Sequence, residues 1–208
     1  MKGSIIVIAF FIAGIAVGLS GIYPQQWTDP AILATWTLYA LVAVIGFEFG
    51  RRNLMPTLRS VNAASYLLAI FTIIGTLGVT ALIGWLLGGW SLTDYLAVGS
   101  GLSYYSLSSI IIIDLKSASI GVQLTAQLAT LALLTNITRE LLALLLGPWL
   151  RRWCGPLAPI AAGGVASIDV VLPTVERCSG REYVPVSIVH GVMLEIGVPL
   201  LVTLFCTL

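Results

Sequence analysis

The sequence predicts an all-α polytopic membrane protein, and three observations carry that prediction. The first is composition. Of 208 residues, 58% are hydrophobic and only 9% are charged, against about 25% charged in a soluble domain. The second is the length of the charge-free runs. Residues 3–28, 30–47, 60–93, 95–113 and 117–138 contain no Asp, Glu, Lys, Arg or His, and a helix needs about 20 apolar residues to cross a bilayer. The third is a mean hydropathy of +1.02. Together they exclude a soluble enzyme, a nucleic-acid binder, a disordered tail and a secreted disulfide scaffold. Ten basic and nine acidic residues imply no strongly charged partner. Cys154, Cys178 and Cys206 have no metal-ligand spacing and read as free thiols, and with the lone His190 they build no zinc site. No cofactor is expected.

The apolar segments follow in order. Residues 3–22 form the first. Their run is too long for a signal peptide and lacks a small-x-small cleavage site, so it reads as a membrane helix. After the polar turn 23–30 comes 31–50, then a basic loop with Arg51, Arg52 and Arg59. Residues 61–87 form the third segment, 95–113 the fourth, 122–150 the fifth, 156–175 the sixth and 184–208 the seventh. The stretches 114–117 and 176–182 read as polar connections. Asp29, Asp94, Glu176 and Glu182 read as solvated.

Basic residues in short loops mark the cytoplasmic side. Arg51, Arg52 and Arg59 place loop 2–3 inside. If every later segment crossed, Arg151 and Arg152 would fall outside. The conflict disappears if segment four is a re-entrant hairpin from the outer face and segment six one from the inner face. The expected architecture is therefore five full spans plus two re-entrant or broken-helix segments, with seven spans as the alternative. The cost is Lys116 on the outside.

Composition agrees with two breaks. Segment four contains Gly99-Ser100-Gly101-Leu102-Ser103-Tyr104-Tyr105-Ser106, and segment six contains Ala161-Ala162-Gly163-Gly164 followed by Ser167-Ile168-Asp169. Non-helical backbone in a membrane is tolerated only inside protein or beside a water-filled cavity. Residues 1–208 read as one transporter domain. Halves 95–152 and 156–208 share the order break, polar turn and Pro-containing span, and form a candidate inverted repeat. Paired interrupted segments point to a transporter binding site.

Charges inside the membrane are costly and are functional by default. Arg139 and Glu140 lie within segment five, after Thr135, Asn136 and Thr138. As helix neighbours they point about 100° apart, so each is expected to meet a different partner. The bland reading is an interhelical ion pair or a snorkelling arginine. Asp169 sits mid-segment six, either at a site or as the N-cap of a half-helix. His190 reads equally as packing or as a participant, and Glu195 lies about 140° from it around the helix. Glu48 is explained by an interfacial salt bridge to Arg51 or Arg52. Ser103, Tyr104 and Ser106 cluster in the first break, where a buried Tyr hydroxyl needs a partner.

These motifs resemble the LysO-type lysine exporter family of prokaryotic inner membranes. The resemblance rests on Gly46-Phe-Glu-Phe-Gly50-Arg51-Arg52-Asn53, Ser103-Tyr-Tyr-Ser-Leu-Ser-Ser109, Thr138-Arg139-Glu140-Leu141, Ser167-Ile-Asp169 with Leu172-Pro173, and Val184-Pro185 with Ile188-Val189-His190-Gly191. It runs from about residue 40 to the C-terminus. It implies a multi-pass inner-membrane protein, not an enzyme, that exports L-lysine and its toxic analogues in exchange for protons. It also implies that Glu140 and Asp169 are the important acids. Fused members carry further N-terminal spans, which implies a homodimer or a second small membrane subunit here. Glu195 lies outside the pattern.

Lysine presents two ammonium groups and one carboxylate. Glu140 and Asp169 suit the first. Half-helix N-termini near 101–103 and 163–164 suit the second, with Arg139 as an alternative carboxylate clamp. The expected substrate and proton site is thus Glu140, Asp169, Arg139, Asn136, Ser103, Tyr104, Ser106 and His190. Two other classes stay open. One is an ion-coupled carrier for another small molecule. The other is an intramembrane enzyme using a break serine such as Ser106 with His190, although no Gly-x-Ser-x-Gly elbow is present.

Overall fold

The structure, a computed structural model, describes residues 63–208 and the isolated helical positions Ala13, Ala16, Trp36, Ala40 and Phe47. Segments one and two, the 51–59 loop, Glu48 and the Gly46–Asn53 motif lie outside the described residues, Phe47 excepted. Residues 1–37 and 38–208 form separate compact units. Among the described residues every regular element is helical.

Three helices are long and apolar enough to cross a membrane, within 65–87, 122–154 and 181–207. They correspond to α1 (Ala63–Leu87), α4 (Val122–Cys154) and α7 (Val184–Thr207). Their outer faces carry exposed large apolar side chains such as Phe71, Trp85, Leu145 and Leu200, as a lipid-facing surface requires. Glycines with positive φ bound α4 on both sides, Gly121 at +82° and Gly155 at +91°. Only glycine takes that conformation freely, so the helix starts and stops there.

The two segments between these helices each fold back on themselves. In the first, α2 (Leu92–Gly99) rises to a bend at 100–104 and α3 (Tyr105–Ile120) returns. A capping box starts α2: Asp94 N donates to Ser91 Oγ (3.1 Å) and Ser91 N to Asp94 Oδ2 (3.3 Å). Lys116 Nζ lies 2.9 Å from Asp94 Oδ1. Asp94 is in the first turn of the outgoing arm and Lys116 lies four residues before the end of the returning arm, so this ion pair closes the base of a hairpin. The structure thereby corrects two expectations. Asp94 is buried against Lys116 rather than solvated, and 114–117 continues α3 rather than forming a polar turn.

In the second segment, α5 (Ala158–Gly163) runs into a 3-10 turn (Gly164–Ile168), bends at Asp169, and returns as α6 (Leu172–Ser179). Ser179 Oγ donates to Pro156 O at 2.8 Å, so this base is closed as well. Residues 176–179, read from sequence as part of a charged loop, belong to α6. A second 3-10 turn (Arg181–Tyr183) then leads into α7.

The first hairpin precedes the N-terminus of α4 and the second follows its C-terminus. They therefore approach from opposite ends of that helix, and their tips meet beside its middle. Val165 N donates to Leu102 O across the junction at 2.8 Å. The core follows this layout. Leu102, Leu107, Ile112, Leu128, Leu194 and Val198 pack the first hairpin between α4 and α7. Ile160, Val171 and Val175 pack the second against Ala143 of α4.

The Asp94–Lys116 pair gives a first prediction. Lys116→Met leaves Asp94 buried without its cation and should cost about 3–5 kcal/mol. Adding Asp94→Leu to that variant should recover most of the loss. Thermal unfolding in detergent checks both. Additive losses in the double variant would contradict a coupled pair.

Candidate functional site

The centre of the site is mid-α4, where residues 136 to 140 meet both hairpin tips. Asn136 is buried and fully used. Its Oδ1 accepts from Ser103 N (2.7 Å), and its Nδ2 donates to Val98 O (3.3 Å) and Ala132 O (2.8 Å). An apolar residue here would leave the non-helical backbone of the first tip unpaired in a water-poor interior. Gly101 lies against Asn136 so closely that a Cβ would stand 2.4 Å from Nδ2. Leu102 (φ 45°) and Ser103 (φ 77°) are left-handed without being glycine, a strain of about 1–3 kcal/mol each that surrounding contacts must hold.

Arg139 organises the second tip. Its Nε donates to Ala162 O (3.1 Å), one terminal nitrogen to Ala161 O (3.0 Å) and the other to Thr76 Oγ1 (3.2 Å). The guanidinium thus binds carbonyls at the C-terminal end of α5, where the helix leaves carbonyls unpaired. Among the described residues it makes no ion pair with a carboxylate. Arg139 and its neighbour Glu140 serve different partners, as their angular separation requires.

Glu140 is buried on the face of α4 one turn beyond Asn136. Among the described residues its carboxylate makes no hydrogen bond or ion pair. It is close enough to Asp169 for their charges to act on one another, and both act on the Tyr105 hydroxyl. Asp169 is exposed at the bend after the 3-10 turn, where its Oδ1 accepts from Val170 N. It does not cap α6, whose N-cap is Val171. Two acids and a tyrosine therefore converge where the two tips and α4 meet.

The remaining expected residues divide. Tyr104 is the N-cap of α3 and Ser106 lies in its first turn, both half-buried next to Tyr105. His190 lies in a separate polar knot and is fully buried. Its Nε2 is 3.1 Å from Thr72 Oγ1 and its Nδ1 is 3.1 Å from Ser167 Oγ. Thr72 Oγ1 donates to Leu68 O at 2.8 Å and Ser167 Oγ to Ser187 O at 3.3 Å, so both hydroxyls that flank the imidazole also have carbonyl acceptors. Ser187 Oγ also donates to Ser167 O at 2.7 Å. The knot fastens the second hairpin to α1 and α7, and His190 is paired with Ser167 rather than Ser106.

The expected site left out Tyr105, Ser167, Ser187, Thr72 and Thr76. Tyr105 stood out in the sequence beside Tyr104 as a second hydroxyl in need of a partner, and Ser167 as part of Ser167-Ile-Asp169, whereas Ser187, Thr72 and Thr76 carried no signal. An open groove of about 650 Å³ runs along α4, with Leu134, Leu142, Leu146 and Leu150 in its walls. It touches Arg139 but not Glu140 or Asp169, and its apolar walls suit lipid or a neighbouring helix rather than a zwitterion.

The family described as "Lysine exporter LysO" matches residues 8–206. The lysine exporter LysO of Escherichia coli (strain K12) is 32% identical over 200 residues, covering 93% of this chain and 61% of the relative. The chain thus spans about three fifths of that relative's length. A protein of Haemophilus influenzae named as a candidate lysine exporter is 29% identical over 176 residues, covering 81% of this chain and 83% of the relative. No solved structure gives a significant match.

Proposed function

The chain belongs to the lysine exporter LysO family, and we propose that it carries L-lysine out of the cell across the cytoplasmic membrane in exchange for protons. The observation that carries this reading is the placement of Glu140 and Asp169 within electrostatic reach of one another beside the crossed hairpin tips. Two acids near one another and near mid-span suit a substrate with two ammonium groups. They also suit proton exchange, because Glu140 is buried and burial penalises an ionised carboxylate. In the proposed cycle a proton from outside occupies the acid pair when the site is empty. Cationic lysine from the cytoplasm displaces it. Competition for the same acids couples the two flows without a second site.

The two folded-back segments act as re-entrant hairpins in this reading, from opposite membrane faces. Together with the spans expected in residues 3–50 they give five spans and two hairpins. Arg139 and Asn136 are positioning residues: the first holds the end of α5, the second holds the first tip. His190 is a packing residue of the second hairpin. In this reading the carrier works as a homodimer or with a second small membrane subunit.

Counterflow tests the substrate. Proteoliposomes loaded with unlabelled L-lysine should accumulate labelled L-lysine from outside, and unlabelled L-glutamate inside should not support uptake. Accumulation with another small molecule and none with lysine would assign the chain to a different carrier class.

A further inference from the structure

We propose that the seam between the hairpin tips is the subsite for the substrate's α-carboxylate, with the Ser103 hydroxyl as its specific donor. The inference rests on the reading of the chain as a carrier of lysine and adds how the carboxylate is recognised.

Ser103 is the residue whose chemistry the fold leaves unused. It is 4% exposed, and its Oγ is buried with no hydrogen-bond partner. A buried hydroxyl without a partner is costly. The backbone that holds it is costly too, at φ 77° after Leu102 at 45°. Asn136 fixes that backbone through Ser103 N. The hydroxyl is therefore held in place rather than left over. It lies at the junction: a Cβ built on Gly164 would be 3.0 Å from Ser103 Oγ, so the missing side chain of Gly164 keeps room beside it.

Three features give the seam a preference for an anion. Ser103 Oγ–H is an unused donor. The N-terminus of α3, directly after it, has no side-chain cap, so its first N–H groups and the positive end of the helix dipole face the break. Arg139, bound to Ala161 and Ala162 just before Gly164, brings a positive charge that no carboxylate among the described residues neutralises. The opposite charge is supplied one turn along α4. Asn136, which holds Ser103, and Glu140 are four residues apart, about 6 Å on a helix face. The ε-ammonium then lies toward Glu140, on the face of α4 that holds Ser103 through Asn136. The Val165–Leu102 bond closes the seam in this conformation, so the tips part there to admit the carboxylate.

The test compares L-lysine with L-lysinamide, which keeps both amines and lacks the carboxylate charge. Binding of each to purified full-length protein in nanodiscs is measured for the wild type, Ser103→Ala and Ser103→Gly. The glycine variant relieves the left-handed backbone while removing the hydroxyl, so it keeps the test open if the alanine variant folds poorly. The expected result is lysine binding weaker by about ten- to a hundredfold in both variants, from loss of a hydrogen bond to a charged group. Lysinamide binding should be unchanged. Lysine and lysinamide weakened equally, or lysine unaffected, would overturn the subsite while leaving lysine transport standing. A wild type that binds neither compound would overturn the lysine reading and the subsite together.

Discussion

Glu140→Gln and Asp169→Asn should each lower L-lysine efflux by about thirty- to several-thousandfold, with expression and thermal stability near those of the wild type. The size follows from removing one partner of a desolvated charge pair, about 2–5 kcal/mol. Unlike Arg139 and Asn136, Glu140 makes no hydrogen bond to a hairpin tip among the described residues. Asp169 Oδ1 accepts from the backbone N–H of Val170, a contact that an asparagine oxygen also makes. Glu140 makes no ion pair among the described residues. Loss of transport in a folded protein is therefore the outcome that separates a site from a structural role. Asp114→Asn, at an exposed position on α3, is the control and should transport normally. Normal efflux by both acid variants would remove the acids from the mechanism.

Gly164→Ala should be the most damaging single-methyl change in the described region. A Cβ at this position would stand 2.2 Å from Leu102 O, the acceptor of the bond that joins the tips. The backbone at φ +59° and ψ −134° is also one that only glycine tolerates. Something must shift, and the listless option of a flexible side chain is absent because the obstacle is backbone. Transport should be lost, and the melting temperature should fall by several degrees for a cost of about 1–3 kcal/mol. By contrast Gly75→Ala, with nothing among the described residues within 4 Å of its Cβ, should be neutral in both assays. Equal behaviour of the two variants would mean that the tip junction carries neither stability nor transport.

Much of this arrangement could be read from sequence because a membrane leaves few alternatives. The break at Gly99–Ser106 and the one at Gly163–Asp169 stand out against long apolar runs, and Arg151 and Arg152 forced the hairpin reading through charge placement. The same reasoning ranked Glu140 and Asp169 first, since an acid in an apolar run has little other purpose. What sequence did not provide was pairing. Asp94 looked solvated because its partner Lys116 is 22 residues away on the other arm, and only the fold-back brings them together. The separation of Arg139 from Glu140 was foreseen from helix geometry. The identity of Arg139's acceptors was not, because they are backbone carbonyls of Ala161 and Ala162 and carry no signature in residue type. Leu102 and Ser103 adopt left-handed backbone with no glycine to announce it. Tertiary contacts with Asn136 and Val165 impose that conformation on residues that would not choose it alone.

The central claim is that this chain moves L-lysine against protons through the acid pair at the hairpin tips. Efflux of labelled L-lysine from proteoliposomes, with and without an imposed inward proton gradient, tests it most directly in the wild type and in Asp169→Asn. The account predicts efflux that the gradient accelerates in the wild type and that is lost in the variant. Efflux indifferent to the gradient, or unchanged in Asp169→Asn, would contradict it.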